Sequence, residues 1–238
     1  IKSGLPRAGA IFDDPNLDFQ WHYINRGDEH LVNTGGGEEL LMDYMTKGSD
    51  VNLEEAWKIC AGDPSIIVAV MDEGVMWAHP DLQANMWVNE NEIYKSYEDN
   101  DGNGYKGDVY GYNFAIDTGI ITWDDPLDTG HGTHVAGTVA AVNNNGEGVC
   151  GVAGGSGNND GVKIMSLQIF DGKYSVSTMN EVGAIKSAAD NGAVILQCSW
   201  GYMSGLANPI DWGTSGYMDD EEYVAALGLE QEAFNYFI

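Results

Sequence analysis

The chain has 238 residues, 10 of them Lys or Arg and 37 Asp or Glu, a formal net charge of −27. A phosphate backbone is gripped by a Lys/Arg excess and repelled by this balance, so nucleic-acid binding is excluded by charge. Hydrophobic residues make up 43%, enough for a real core and against a disordered chain, and no window approaches the ~18 consecutive apolar residues of a membrane helix.

In chain order, residues 1–50 are punctuated by Pro6, Pro15 and Gly35-Gly36-Gly37 and read as an irregular arm packed on a domain formed by residues 51–238. Asn52 with Glu55 makes a capping-box pattern, followed by Leu53, Ala56, Trp57 and Cys60 at helical spacing. Ser65 to Met71 is a short, β-branched apolar run that stops at Asp72-Glu73-Gly74, the pattern of a strand buried on both faces. Two more strands are predicted over Val162–Ile169 and Gly192–Ser199. Between them Thr178 and Glu181 cap a helix with Met179, Val182, Ile185 and Ala189 on one face, ended by Asn191-Gly192. A last helix is predicted over Glu221–Ile238.

Strand, helix and strand in alternation imply an α/β fold, a parallel sheet with right-handed crossovers. Ligands of such sheets sit beyond the C-terminal strand ends, where Asp72 and Ser199 fall. Cys60, Cys150 and Cys198 form no CxxC pair and are too few for a disulfide framework, so they read as small apolar core residues.

The most specific segment is Gly130-His131-Gly132-Thr133-His134-Val135-Ala136-Gly137-Thr138. Its small residues let a helix start close to a sheet, and they place His131 at the helix N-terminus, where the dipole disfavours imidazolium. His134 makes an HxxH spacing, but zinc helices use i, i+4 and a third ligand. A metal hydrolase built from His131, His134 and the acids Asp124, Asp125 and Asp128 is a distant reading; those acids fit a solvated loop that disfavours acidic peptides.

Asp99-Asn100-Asp101-Gly102-Asn103-Gly104-Tyr105 puts oxygens at loop positions 1, 3 and 5, glycine at 6 and the Tyr105 carbonyl at 7. That is calcium-loop spacing, which Asp108 could close; Tyr110 stands where a bidentate Glu is expected, and a plain polar turn is the alternative.

From about Asp14 to Gly201 the chain resembles the subtilisin-like serine proteases. VAVMDEGV, HPDL (His79 to Leu82), GHGTHVAGTVAA and ILQCSWG occur in that family's order. The resemblance implies the subtilisin-like α/β fold, incomplete at the C-terminus, with helices on both faces of the sheet. It also implies a serine endopeptidase acting through an Asp-His-Ser triad, with Asp72 as the acid and His131 as the general base. Glu73 departs from the commoner Ser or Thr after the acid and adds a charge beside the dyad. The family's oxyanion Asn and its Gly-Thr-Ser-Met-Ala nucleophile block follow later than Gly201 and are expected in a missing or separate C-terminal segment, the partner of this chain. Gly213-Thr214-Ser215-Gly216 lacks the Met-Ala that follows and reads as a surface turn.

The same resemblance implies a peptide substrate paired with Ser199-Trp200-Gly201 and with Asp171-Gly172-Lys173 as an added strand. Trp200 would then line a subsite; packing in the core is its alternative. A thermitase-like calcium site is implied at Asp14, Asp81, the Asn145 side chain and the carbonyls of Val142, Glu147 and Val149. The implied location is secreted or extracytoplasmic, any leader being removed or outside a chain that begins at Ile1. A sheet cut before its last strands would leave an open apolar edge, hence poor solubility or a companion chain. The different-class alternative is a catalytically silent calcium-binding scaffold or interaction protein with a protease-like fold.

Overall fold

The computed structural model describes residues 11–27, 31–33, 38–40, 46–201 and 221–238. The Gly213-Thr214-Ser215-Gly216 turn lies outside them. The chain groups into two compact units: Ile1–Ile66 with Ala78–Asn85 and Ala136–Lys163, and Ile67–Trp77 with Met86–Val135 and Ile164–Ile238.

In the first unit, strands β1 (Leu31–Asn33) and β2 (Glu38–Leu40) pair antiparallel, and a short helix α1 covers Leu53–Trp57. Its core joins Phe12, Leu17 and Tyr23 to Leu53, Trp57 and Cys150, with the Phe12 and Trp57 ring centroids 5.0 Å apart. The N-terminal segment thus supplies a share of a core and is more than a surface arm. The expected Asn52 capping box does not form: Asn52 is left-handed, with φ 57°, and makes no side-chain cap bond. Asp50 serves there instead, accepting the Asn52 N–H at 2.8 Å and the Asn25 N–H at 2.6 Å. Of the three cysteines only Cys150 is fully buried; Cys60 is exposed, against the core reading.

The second unit carries the sheet. Its elements are β3 (Ile67–Asp72), β4 (Gly111–Asn113), helix α2 (His131–Ala140, to Val135 in this unit), β5 (Lys163–Gln168), the hairpin β6 (Phe170–Asp171) and β7 (Tyr174–Ser175), α3 (Thr178–Asp190), β8 (Ile195–Gln197) and α4 (Glu221–Phe237). Strand order is β4-β5-β3-β8, with β3 parallel to β8 (Val68 opposite Ile195) and β4 parallel to β5 (Gly111 opposite Ser166). The apolar runs of β3 and β5 are buried from their second residue onward, as two-faced strands require. β4 escapes prediction because Gly-Tyr-Asn is neither an apolar run nor an alternation.

Helix α3 corrects the sequence reading at its first turn, while Val182 and Ile185 pack with the core as expected. Ser177, not Thr178, is the N-cap and accepts the Asn180 N–H; Met179 is 62% exposed, and Glu181, Ala184, Ile185 and Ala188 face inward. The small side chains of Ala184 and Ala188 pack with Met165, Leu167 and Ile169 in one core, which Ala233 of α4 joins. No helix of the described residues is long and apolar enough to cross a membrane.

Candidate active site

β3 ends at Asp72, which is only 2% exposed, one residue before the chain leaves the sheet. The first turn of α2 is held against that strand end by the Thr133 hydroxyl, which accepts the Met76 N–H at 3.0 Å. Gly132 permits the close approach, since a Cβ there would stand 2.5 Å from the Gly74 carbonyl oxygen and 3.2 Å from Asp72 Cβ. The outcome is one directed contact: His131 Nδ1 donates to both Asp72 carboxylate oxygens, at 2.8 and 2.9 Å. The acceptor fixes the proton on Nδ1 and leaves Nε2 as the basic nitrogen.

The proton affinity of His131 shifts in the direction opposite to that expected from the helix dipole. Its hydrogen bond to Asp72, with further charge from Asp72 and Glu73, raises the imidazole above its ordinary value despite partial burial. Two carboxylates at the helix end outweigh the partial positive charge of the helix terminus.

Of the residues expected to bind peptide, Gly172 sits at the β6–β7 turn with φ +56°, and its N–H donates to Asp128 at 2.8 Å. A Cβ at Gly172 would meet the Asp125 carboxylate at 2.6 Å, so the acidic loop lies directly on this turn. Burial pushes Asp128 up, and Glu73, Asp171 and Asp125 add to the effect. Past the end of β8, the Trp200 indole N–H donates to the Met71 carbonyl at 2.8 Å and the ring stands edge-on to Phe170. These contacts pin the half-buried indole beside the residue that precedes Asp72. Ser199 and Gly201 are exposed, the Ser199 hydroxyl accepting from Gln197.

The subtilase family model matches residues 63–230, most of the chain. The chain belongs to the subtilase family. It is 38% identical over 229 residues to subtilisin-like protease 1 of Plasmodium berghei, covering 96% of this chain and 31% of that protein. It is 45% identical over 158 residues to subtilisin-like protease 1 of Plasmodium vivax, covering 63% and 24%. The chain therefore spans about a quarter to a third of the length of these curated relatives. Among solved structures, a serine protease of Aeromonas sobria in complex with its chaperone overlays with a TM-score of 0.56 at 23% identity, covering 84% of this chain and 28% of that one, a likeness of fold.

Against this subtilase frame, Glu73 is the departure that the structure explains. Its Oε2 accepts the N–H and the hydroxyl of Thr129, at 3.0 and 3.1 Å, and the His131 N–H at 3.1 Å. Behind it Gln168 donates to the Glu73 carbonyl at 3.0 Å and to the Thr122 hydroxyl at 2.7 Å. Neither residue was singled out for such a role, and no local motif could have done so, because the partners lie 46 to 95 positions apart.

Two sets of oxygen-bearing side chains lie close together, each within its own unit. In the first unit, Asp14 and Asp81 are both buried; Asp14 accepts the Asn144 N–H at 2.7 Å, and Asp81 accepts the Asn145 side chain and the Val149 N–H, each at 2.9 Å. Desolvation raises both carboxyls, and Asp14 adds charge at Asp81. Val142 donates its N–H to the Asp81 carbonyl and Glu147 donates to Asn145, so the contacts of Val142, Glu147 and Val149 here are made by their amides.

In the second unit, Glu92, Asp99 and Asp101 offer oxygens within 4.8 Å of one another. Asn103 and Asn89 each bridge Asp101 and Asp108 through their amide nitrogens. The Tyr105 ring packs against Tyr112, and its hydroxyl donates to the Gly183 carbonyl. Burial raises Asp108 to about 6, with Asp101 and Glu92 adding charge. Sequence reading missed Glu92, seven residues upstream of Asp99, which is buried and accepts the N–H groups of Asn100, Asp101 and Gly107.

Proposed function

We propose that this chain supplies the acid and base of a peptide-bond hydrolase that works by an Asp-His-Ser triad. The observation that carries the reading is the Nδ1 contact of His131 with a nearly fully buried Asp72 at the end of a parallel strand. His131 Nε2 takes the proton of a serine hydroxyl as it attacks the scissile carbonyl and returns it to the leaving amine. Asp72 holds the imidazole in the required tautomer and stabilises the imidazolium. The serine and the oxyanion donor come from a further segment of the protein. The substrate backbone adds as a strand along Gly172 and along Ser199-Trp200-Gly201, and the carboxylates of Asp125 and Asp128 beside Gly172 favour basic over acidic peptides.

Calcium fits both oxygen-rich sets, because each is an all-oxygen group of buried or crowded carboxylates, the ligand chemistry of a hard cation. Asp14, Asp81 and Asn145 would hold one ion, with Val142, Glu147 and Val149 on the loop around it. Glu92, Asp99, Asp101, Asn103 and Asp108 would hold another, beside Tyr105. Each ion neutralises carboxylates that burial otherwise penalises.

The test is labelling of the full-length protein by a serine-directed fluorophosphonate. Asp72→Asn should slow it by about 10⁴-fold through the wrong imidazole tautomer, and His131→Ala by at least as much. Full-rate labelling of the His131→Ala protein would remove His131 as the base and leave the silent, calcium-binding reading in front.

A further inference from the structure

We propose that Glu73 is a positioning residue of the Asp72–His131 pair, capping the helix that carries His131 from the strand end that carries Asp72. This rests on the triad reading above and assigns to the same site a part that its three reacting groups do not supply. A helix begins with N–H groups that have no partner inside the helix, and a residue just ahead of it in sequence ordinarily satisfies them. At α2 the residues ahead are Thr129 and Gly130, and the acceptor is brought in from 58 positions away: Glu73 Oε2 takes the His131 N–H at 3.1 Å together with the N–H and hydroxyl of Thr129.

Glu73 is itself held at both ends. Its N–H donates to Asp72 Oδ1 at 2.7 Å, the same oxygen that receives His131 Nδ1, and its carbonyl accepts from Gln168. Backbone and side chain of His131 are therefore tied to adjacent residues of one strand end, the ring to Asp72 and the main chain to Glu73. The imidazole cannot swing on its helix without breaking one of these contacts. Glu73 also adds negative charge where the imidazolium forms. Among the described residues, the ionisable groups coupled to this cluster are Asp72 at the end of β3, Asp128 on the loop before α2, which feels the charge of Glu73, and the Cys198 thiol, which feels that of Asp72. All are acids, so Glu73 is not neutralised by an ion pair among these groups.

The experiment compares Glu73→Gln and Glu73→Ala in the full-length protein, with His131→Ala in parallel. The glutamine keeps an oxygen that accepts N–H bonds but loses the charge; the alanine loses both. Glu73→Ala should lower kcat by about tenfold with KM little changed, and Glu73→Gln should recover most of that loss. In both variants His131, followed by NMR titration, should bind its proton less tightly, moving the acidic limb of the pH profile to lower pH. Amide exchange at Thr129 and His131 should speed up in the alanine variant and stay slow in the glutamine variant. Unchanged kcat, titration and exchange in both variants would overturn the proposal. If Glu73→Ala does not accumulate folded, Glu73→Met, which keeps the chain length without an acceptor oxygen, takes its place: amide exchange at Thr129 and His131 faster than in Glu73→Gln supports the assignment, and equal exchange overturns it. Full labelling of His131→Ala would sink the triad reading alone, and amide exchange would still judge the cap.

Discussion

Asp72, Glu73, Gly132 and His131 form one mechanical unit in which a glycine is as constrained as the hydrogen-bonded side chains. Gly132 allows the first turn of α2 to lie on the end of β3, and a methyl group there meets backbone at 2.5 Å, a separation that no rotamer change relieves. Gly132→Ala should therefore displace the helix start, costing about 1–3 kcal/mol of stability in urea unfolding, as overpacking typically does. It should also slow fluorophosphonate labelling more than Glu73→Ala does, because the dyad and its cap move together. A Gly132→Ala protein with wild-type stability and labelling rate would mean that the helix end is free to shift. Asp72 and His131 were singled out through the resemblance of the blocks that carry them, since an Asp after a buried strand is by itself most often a turn residue; the apolar strand and the small-residue helix start are the local patterns that the structure brings together. Glu73 was legible as a charge beside Asp72 but not as an acceptor, and Gln168 and Glu92 were not legible, since each acts by hydrogen bonds outside any local motif and periodicity says nothing about where a polar side chain will point.

The same contrast holds for whole elements. β3, β5, α3 and the last helix could be read from apolar runs and 3.6-residue spacing, whereas β4 is three residues of no pattern and is recruited by β5. α3 was found with part of its inner face right, Val182 and Ile185 packing with the core, but Met179 points to solvent and Glu181, Ala184 and Ala188 turn inward, because both sets fit helical spacing and a glutamate is not scored as interior. Glu181 is the telling residue. It is 7% exposed in the first turn of α3, where it meets Glu230 of α4; Cys198, at the end of β8, feels both acids. Desolvation, with the hydrogen bond and charge of Glu230, raises its carboxyl to about 7. A carboxyl raised on folding keeps its proton in the folded state after the unfolded chain has lost it, so its contribution to stability falls as pH rises from about 4.5 to about 7. Glu181→Gln should flatten that fall, and the difference in unfolding free energy between variant and parent should grow by roughly 1–3 kcal/mol from about pH 5 to about pH 8. Parallel curves for the two proteins would show that the α3–α4 seam carries no such pair.

At the scale of the molecule, 37 acids against 10 bases leave a net charge of −27, and the compact state must hold those acids closer together than the unfolded chain does. Any salt relieves this by screening, so a rise in stability with ionic strength carries no information about a site. The two oxygen-rich sets demand something more selective. Asp14 and Asp81 in one set, and Asp108 in the other, are carboxylates whose charged forms burial disfavours, and no screening by bulk ions reaches groups that are 1–3% exposed, as these three are. A calcium ion bound only by the folded state adds RT ln(1 + [L]/Kd), about 2.7 kcal/mol per site at 100 times Kd. Thermal unfolding in calcium should therefore lie well above unfolding in a chelator with sodium chloride at matched ionic strength, and magnesium should fall short because it resists giving up its water for a crowded oxygen cage. Asp81→Asn and Asp101→Asn should each remove part of the calcium-dependent rise, and the double variant should remove nearly all of it, since the two sets share no residue and belong to different units. A rise that sodium chloride reproduces in full would leave the acids as a solvated charge, and the cation reading would fall for both loops at once.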